Sequence, residues 1–139
     1  MLFLLLMANS RENKELIRRI FEGLAQKNGE LFVASMADDF SWTVTGTTKW
    51  SKTYSGKNIV LKELFGTLRE KIAGSAKTTA ERIIAEDDYV VVEASGDNVT
   101  RKGKPYCNRY CFVFRLSEGK LKEVTEYLDT ELVTSAFAD

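Results

Sequence analysis

The chain has 139 residues and a mass of 15.7 kDa, and its 20 Lys plus Arg balance its 20 Asp plus Glu, so the formal net charge at pH 7 is zero. This length fits one domain, and the balanced charge argues against a protein that follows a nucleic-acid backbone. The sequence contains no histidine. Ser–His or Cys–His catalysis and histidine-bound zinc are therefore excluded, and a general acid or base must be Asp, Glu, Tyr, Lys or Cys.

The first seven residues are apolar, but a membrane-spanning helix needs about 20 such residues. A secretory signal requires a Lys or Arg before its apolar run, and none precedes this one. Cys107 and Cys111, the only cysteines, stand four residues apart on one predicted strand, about 13 Å and too far for a disulfide. We therefore expect no membrane partner and a cytoplasmic location, with an apolar extension over residues 1–8 and a single domain over residues 9–139.

Helical periodicity covers much of the first half of the chain. Asn9 or Ser10 can cap a first helix that runs to about Lys27, and a second helix is predicted over residues 30–37. Residues 40–45 alternate as a strand, and a loop over residues 46–55 carries two aromatic residues. A third helix, with an apolar stripe, follows Gly56 and ends before Gly74.

Beyond Gly74 the period of the apolar residues changes from 3.6 to 2. Strands are predicted over residues 77–85, 89–99, 105–116 and 120–127, joined by short turns. Such hairpins give an antiparallel sheet. Helices followed by a meander predict an α+β fold, a cone-shaped barrel made of a curved, mainly antiparallel sheet packed against three helices of the N-terminal half.

The long strand over residues 105–116 carries the densest set of polar aromatic groups. Alternation places Tyr106, Asn108, Tyr110, Phe112 and Phe114 on one face. Two phenol hydroxyls and an amide on an otherwise apolar face are typical of a small-molecule pocket. The alternative is that the tyrosines are core residues whose hydroxyls bond to the backbone.

The last strand carries Glu126, which faces either the cone or the surrounding water. In an aromatic pocket its pKa would be raised by desolvation, as a general acid or base near neutral pH requires. On the outer surface it would pair with a neighbouring lysine. The alternation leaves both orientations open. Asp129 is interpreted as the cap of a final helical turn.

Three segments carry a family resemblance that extends over nearly the whole chain after Asn9. They are Tyr-x-Asn-x-Tyr at 106–110, acidic-Gly-Lys-Leu at 118–121 and Glu-Tyr-x-Asp-Thr at 126–130. Ala-Asp-Asp-Phe at 37–40, before a strand with Trp42, and Tyr-Ser-Gly at 54–56 also match. The sequence resembles the SnoaL-like polyketide cyclases and ketosteroid-isomerase-related proteins of the nuclear transport factor two-like superfamily.

The resemblance implies a cofactor-free cone that binds a small, largely apolar carbonyl- or epoxide-bearing molecule, in an isomerase, cyclase or hydrolase. Glu126 matches the water-activating acid of epoxide hydrolases of this fold. Tyr110 and Asn108 are then expected to donate hydrogen bonds to a developing oxyanion, with Asp97 as one arm of a relay. The expected pocket walls are Trp42, Trp50, Tyr54, Tyr106 and Phe112. A homodimer through the outer sheet face is also implied.

For each well-described reaction of the fold, this chain lacks at least one of the catalytic residues. Ketosteroid isomerase uses an Asp on the first strand and a Tyr on the first helix, and this chain has neither. The epoxide hydrolases use an Asp, Arg, Asp relay, but residues 92–98 contain no Arg, and the cyclases commonly use a His. A noncatalytic ligand-binding or dimerisation module therefore remains the alternative function. No metal site and no nucleotide-binding loop are predicted.

Overall fold

The computed structural model describes residues 2–138, and their side chains from Asn9 onward. Helix α1 spans Leu2–Ala25, so the predicted start at Asn9 or Ser10 is wrong. Residues 2–10 contain no Gly or Pro to stop a helix. The proposed apolar extension, residues 1–8, has its side chains outside the described residues. The helix ends in a Schellman motif, with Asn28 N donating to Gly23 O and Lys27 at φ 61°.

Two further helical segments complete the helical layer. Helix α2 spans Glu30–Ser35. The predicted third helix is a continuous helical run over residues 57–71 in three parts: α3 at Lys57–Ile59, a π-helical turn at Val60–Leu64 and α4 at Phe65–Lys71. Val60 and Leu64 of the predicted apolar stripe are buried. No described helix has both the length and the apolar character needed to cross a membrane.

The main sheet has six strands in the order β2-β1-β8-β7-β4-β3. Their bounds are β1 Met36–Val44, β2 Thr53–Ser55, β3 Thr78–Glu86, β4 Tyr89–Gly96, β7 Arg109–Ser117 and β8 Lys120–Leu128. β1 runs parallel to β8, and every other neighbouring pair in this sheet is antiparallel. The prediction of an α+β fold with a mainly antiparallel sheet is confirmed.

The predicted strands over residues 89–99 and 105–116 are each interrupted. A separate short hairpin joins β5, Asn98–Val99, to β6, Pro105–Tyr106. Between β6 and β7 the side chain of Asn108 accepts the hydrogen of Arg109 N, at 2.7 Å. This local bond competes with strand pairing. The final helix α5 spans Thr130–Ala136, and Asp129 caps it by accepting from Leu132 N, as predicted.

The inner face of the sheet packs against α1, α2 and the helical run over residues 57–71. Phe40, Phe114, Leu116, Leu121 and Ile17 are among the fully buried side chains of this main core. A second, smaller cluster forms where α5 meets Tyr106 and Ile72. A cavity is bounded by residues of both clusters.

Candidate functional site

A cavity of about 920 Å³ occupies the interior of the cone. Its walls are mainly apolar, and its aromatic lining includes Phe21, Phe32, Trp42, Phe112, Phe114 and Phe137. Its exposed lining residues include Lys27 and Glu30 beside the α1–α2 junction, and Arg69 and Ser75 near the end of α4. The cavity therefore opens between these two segments. An apolar chamber of this size fits a small organic molecule.

Glu126 faces this cavity, which answers the question that the alternation left open. It pairs with Phe112 of β7 and Val44 of β1, and only 9% of its surface is exposed. The indole Nε1 of Trp42 donates a hydrogen bond to Oε1 of Glu126, at 2.9 Å. Burial raises the pKa of Glu126 from 4.5 to about 7, although the Trp42 hydrogen bond lowers it. The carboxyl group can therefore take up or release a proton near neutral pH.

Tyr106 and Tyr110 also line the cavity, as predicted. The Tyr110 ring stacks on Phe112 with 5.1 Å between ring centroids. Burial raises the pKa of both phenols above 10, so both are protonated hydrogen-bonding groups at neutral pH. The close approach of Tyr110 requires Gly96, where a Cβ atom would lie 3.3 Å from the Tyr110 hydroxyl oxygen.

Asn108 does not line the cavity, contrary to the expectation that it donates to an oxyanion. It is fully buried, and its amide is occupied by four hydrogen bonds. Nδ2 donates to the Tyr106 hydroxyl and to Asp129 O, both at 3.1 Å. Oδ1 accepts from Arg109 N at 2.7 Å and from Asp129 N at 3.1 Å. Both amide hydrogens are thus already bonded to protein atoms, and Asn108 holds β7 against the segment that precedes α5.

Asp97 and Tyr54 also lie elsewhere than predicted. Asp97 is exposed in the break between β4 and β5 and is absent from the cavity wall, and its oxygen Oδ1 lies 3.9 Å from Cys107 Sγ. Tyr54 is buried, and its hydroxyl donates to Trp50 O at 3.0 Å. Its ring borders a second, polar pocket of about 340 Å³. Asp97 lies at a strand end, where polar side chains are commonly exposed, and Tyr54 packs in the main core without lining the cavity.

Trp42, Trp50 and Phe112 line the cavity where the sequence placed them. Trp50 packs edge-on against Phe137, with 5.7 Å between ring centroids. Sequence reasoning missed the contribution of the helical run and of α5: Leu64, Phe65, Leu68, Val133 and Phe137. The apolar stripe of the third helix could have indicated the first three. No periodic signal marks Phe137, which follows a seven-residue helix.

The cavity lining includes one buried carboxyl, Glu126, and two phenol hydroxyls, Tyr106 and Tyr110, which can transfer a proton and hydrogen-bond an oxygen atom. Within residues 2–138, no three His, Cys, Asp or Glu side chains come together in a way that could hold a metal ion. The two cysteines are free thiols, and Cys107 lies outside β7, the strand that carries Cys111.

The SnoaL-like domain family matches residues 17–124, so the chain belongs to this family. No curated protein matches it. Among solved structures, Bal32a from a soil-derived mobile gene cassette has a TM-score of 0.80 and 18% identity, over 93% of this chain and 98% of its own. An NTF2-like protein from Burkholderia thailandensis E264 has a TM-score of 0.78 and 20% identity, over 91% and 98%.

A third solved structure, TerC co-crystallized with polyporic acid, has a TM-score of 0.76 and 18% identity, over 92% of this chain and 99% of its own. At these identities the likeness establishes the fold. The chain is therefore a SnoaL-like protein with the nuclear transport factor two-like cone, as its sequence motifs indicated.

Proposed function

We propose that this protein binds a small, largely apolar molecule with a carbonyl or epoxide oxygen, and that Glu126 transfers a proton on that molecule. The observation that carries the proposal is a carboxyl group with a pKa of about 7 in an aromatic cavity of about 920 Å³. Family membership supports a ligand-binding cone, and TerC, a protein of similar fold, was co-crystallized with polyporic acid.

The simplest reaction for a carboxyl group beside phenol hydroxyls in an apolar cavity is proton transfer at the carbon next to a carbonyl group. The Glu126 carboxylate removes a proton from the adjacent carbon, and the C–H electrons shift to form an enolate. Tyr110 donates a hydrogen bond to the enolate oxygen as negative charge develops there. The Glu126 carboxylic acid then returns the proton to carbon, at the same or another position. Isomerisation and cyclisation share this first step.

Deuterium exchange into a generic ketone tests the proposal without knowledge of the natural substrate. The protein in D2O at pD near 7 is mixed with 2-tetralone, and loss of the C1 hydrogens is followed by proton NMR. We expect wild type to accelerate the exchange and Glu126→Gln to lower the protein-dependent rate by roughly 100-fold or more. Glu86→Gln, which removes an exposed carboxylate at the end of β3, is the matched control. Equal rates for wild type and Glu126→Gln contradict the proposal.

The alternative function is a noncatalytic module that keeps the cone for ligand binding or dimerisation. The broad apolar lining favours ligand binding without requiring chemistry. The same experiment separates the two. If 2-tetralone shows saturable line broadening with wild type but no exchange above the buffer rate, the cavity is a binding site and Glu126 is not a catalyst.

We also propose a homodimer formed through the outer face of the sheet, the face turned away from the helices. Ile84, Tyr89 and Tyr127 on this face are 54%, 45% and 51% exposed. Val91 lies between Ile84 and Val113 across three strands and extends the apolar area. A second copy of the chain would cover it. Sedimentation equilibrium is expected to give a dimer for wild type and a monomer for Val113→Lys; a wild-type monomer contradicts the proposal.

A further inference from the structure

We propose that Asn98 is a second hydrogen-bond donor of the site and that it acts with Tyr110 on the same ligand oxygen. The two donors then select a carbonyl group rather than an epoxide as the reacting group. This inference rests on the proposed function and narrows its substrate class. Asn98 takes the role that the sequence suggested for Asn108, whose amide is fully used by the protein.

Asn98 lies in the cavity wall beside the two tyrosines. It lines the cavity, is only 8% exposed and pairs with Tyr106 across the short hairpin. A Cβ atom added at Gly96 would lie 3.1 Å from Asn98 Nδ2 and 3.3 Å from the Tyr110 hydroxyl oxygen. Both donor atoms therefore approach one point beside Gly96, at distances close to that of a hydrogen bond. A ligand oxygen that packs against the Cα atom of this glycine is within reach of both.

The backbone of Lys77 fixes the orientation of the Asn98 amide. Lys77 N can only donate, and it donates to Oδ1 at 2.8 Å. Lys77 O can only accept, and it accepts from Nδ2 at 3.3 Å. These two bonds use one of the two amide hydrogens. Among the residues that the structure describes, Nδ2 makes no other hydrogen bond, so its second hydrogen is available to a ligand.

Two donors of this kind suit an oxygen atom that becomes negative without being protonated. Removal of a proton next to a carbonyl group places charge on the enolate oxygen, which two hydrogen bonds stabilise. Opening of an epoxide leaves an alkoxide, which must receive a proton. An amide does not release a proton at neutral pH, and burial raises the pKa of the Tyr110 phenol, which makes it a weaker acid. The pair therefore favours a ligand with a carbonyl group.

The variant Asn98→Asp removes the hydrogen that faces the cavity and keeps the support of Lys77. Its carboxyl group retains an oxygen for Lys77 N. When protonated it also has one hydrogen for Lys77 O, and in neither charge state does it have a second hydrogen for the cavity. Asn58→Asp, the same change on the exposed surface of α3, is the matched control.

Two ligands that differ only at the acceptor atom test this donor. Dissociation constants for 2-acetylnaphthalene and 2-isopropenylnaphthalene are measured by equilibrium dialysis at pH 9, where the Glu126 carboxylate cannot donate. With about fivefold for each neutral hydrogen bond, wild type and Asn58→Asp should prefer the ketone by roughly 25-fold. Asn98→Asp should prefer it by about fivefold or less, with its affinity for the alkene unchanged. Structural damage would instead weaken the binding of both ligands.

The outcomes separate this inference from the proposed function. A ketone preference in Asn98→Asp equal to that of wild type overturns the inference, and so does a wild type without this preference. The proposed function stands in both cases if wild type still exchanges the hydrogens of 2-tetralone. If neither naphthalene binds to wild type, the inference and the proposed ligand binding are both wrong.

A second variant keeps the inference testable if Asn98→Asp does not fold. The double variant Tyr106→Phe/Tyr110→Phe removes both phenol hydroxyls from the cavity and leaves the Asn98 amide in place. It should still prefer the ketone by about fivefold at pH 9. Equal binding of the ketone and the alkene to this variant overturns the inference. Melting curves show which of the variants are folded.

Discussion

Strand β8 carries two glutamates three residues apart with opposite surroundings. Glu126 points into the cavity, accepts a hydrogen bond from Trp42 and has a pKa raised to about 7 by burial. Glu123 lies on the outer face, where it is exposed and bonded to Arg115. The chemical group is the same, so the difference comes from the face of the sheet alone. A carboxylate becomes a candidate acid or base here because burial withholds water from it.

Among substitutions on the inner side of the sheet, we expect the loss of the Asn108 side chain to lower the free energy of unfolding most. Asn108→Ala removes four hydrogen bonds and leaves the N–H groups of Arg109 and Asp129 without their side-chain acceptor. We expect a loss of about 3–4 kcal/mol in the free energy of unfolding, measured by urea denaturation. Asn58→Ala, on the exposed surface of α3, should change it by less than about 0.5 kcal/mol. Similar changes in the free energy of unfolding for the two variants would show that the Asn108 hydrogen bonds do not stabilise the fold.

The pH dependence of stability sharpens the contrast between the two glutamates. Between about pH 4.5 and 7 the folded protein holds a proton on Glu126 that the unfolded chain has released. The stability of wild type should therefore fall as pH rises through this window. Glu126→Gln avoids this cost and should be more stable than wild type by about 3 kcal/mol at pH 8, but by less than about 1 kcal/mol at pH 5.

Urea denaturation of Glu126→Gln and wild type at both pH values measures this difference. The Gln side chain can still accept the Trp42 hydrogen bond, so packing is preserved. A difference that does not depend on pH would mean that Glu126 titrates in the folded protein as it does in the unfolded chain.

Gly96 tests how closely the inner face is packed. An added Cβ atom would lie 3.1 Å from Asn98 Nδ2 and 3.3 Å from the Tyr110 hydroxyl oxygen, so Tyr110 must move. We expect Gly96→Ala to lower the free energy of unfolding by about 1–3 kcal/mol. Gly66→Ala is the control, because its Cβ atom would meet nothing closer than 3.8 Å. If both variants melt at the same temperature as wild type, the Tyr110 position is not tightly packed.

The outer face should give the smallest effect. Glu123→Gln breaks an exposed ion pair with Arg115, and such pairs contribute about 0–1 kcal/mol. Urea denaturation at pH 7 measures this difference between Glu123→Gln and wild type. A loss of more than about 1 kcal/mol would show that the outer ion pair contributes more than an exposed pair should.

The sequence was sufficient for the fold because alternation, helical stripes and turn residues are local signals. It also predicted Trp42, Trp50, Tyr106, Tyr110 and Phe112 as cavity residues. It did not decide the face of Glu126, which depends on the parallel pairing of β1 with β8, a contact between distant segments.

The misplaced residues share a physical cause. Asn108 and Tyr54 bond to backbone atoms, Asp129 N and Trp50 O, that no alternation pattern reveals, and neither residue lines the cavity. Phe137 also lines the wall, directly after α5, and Asn108 bonds to Asp129 at the other end of that helix. Side-chain hydrogen bonds to the backbone therefore help to decide the details of the site, while periodicity indicates the fold.

The central claim is that Glu126 ionises near neutral pH. It is tested most directly by a titration of the side-chain carboxyl carbon of Glu126 by carbon-13 NMR, with Glu126→Gln to assign the resonance. The account predicts a midpoint of about 7. A midpoint near 4.5 would contradict it, because burial in the cavity would then leave the pKa of Glu126 unchanged.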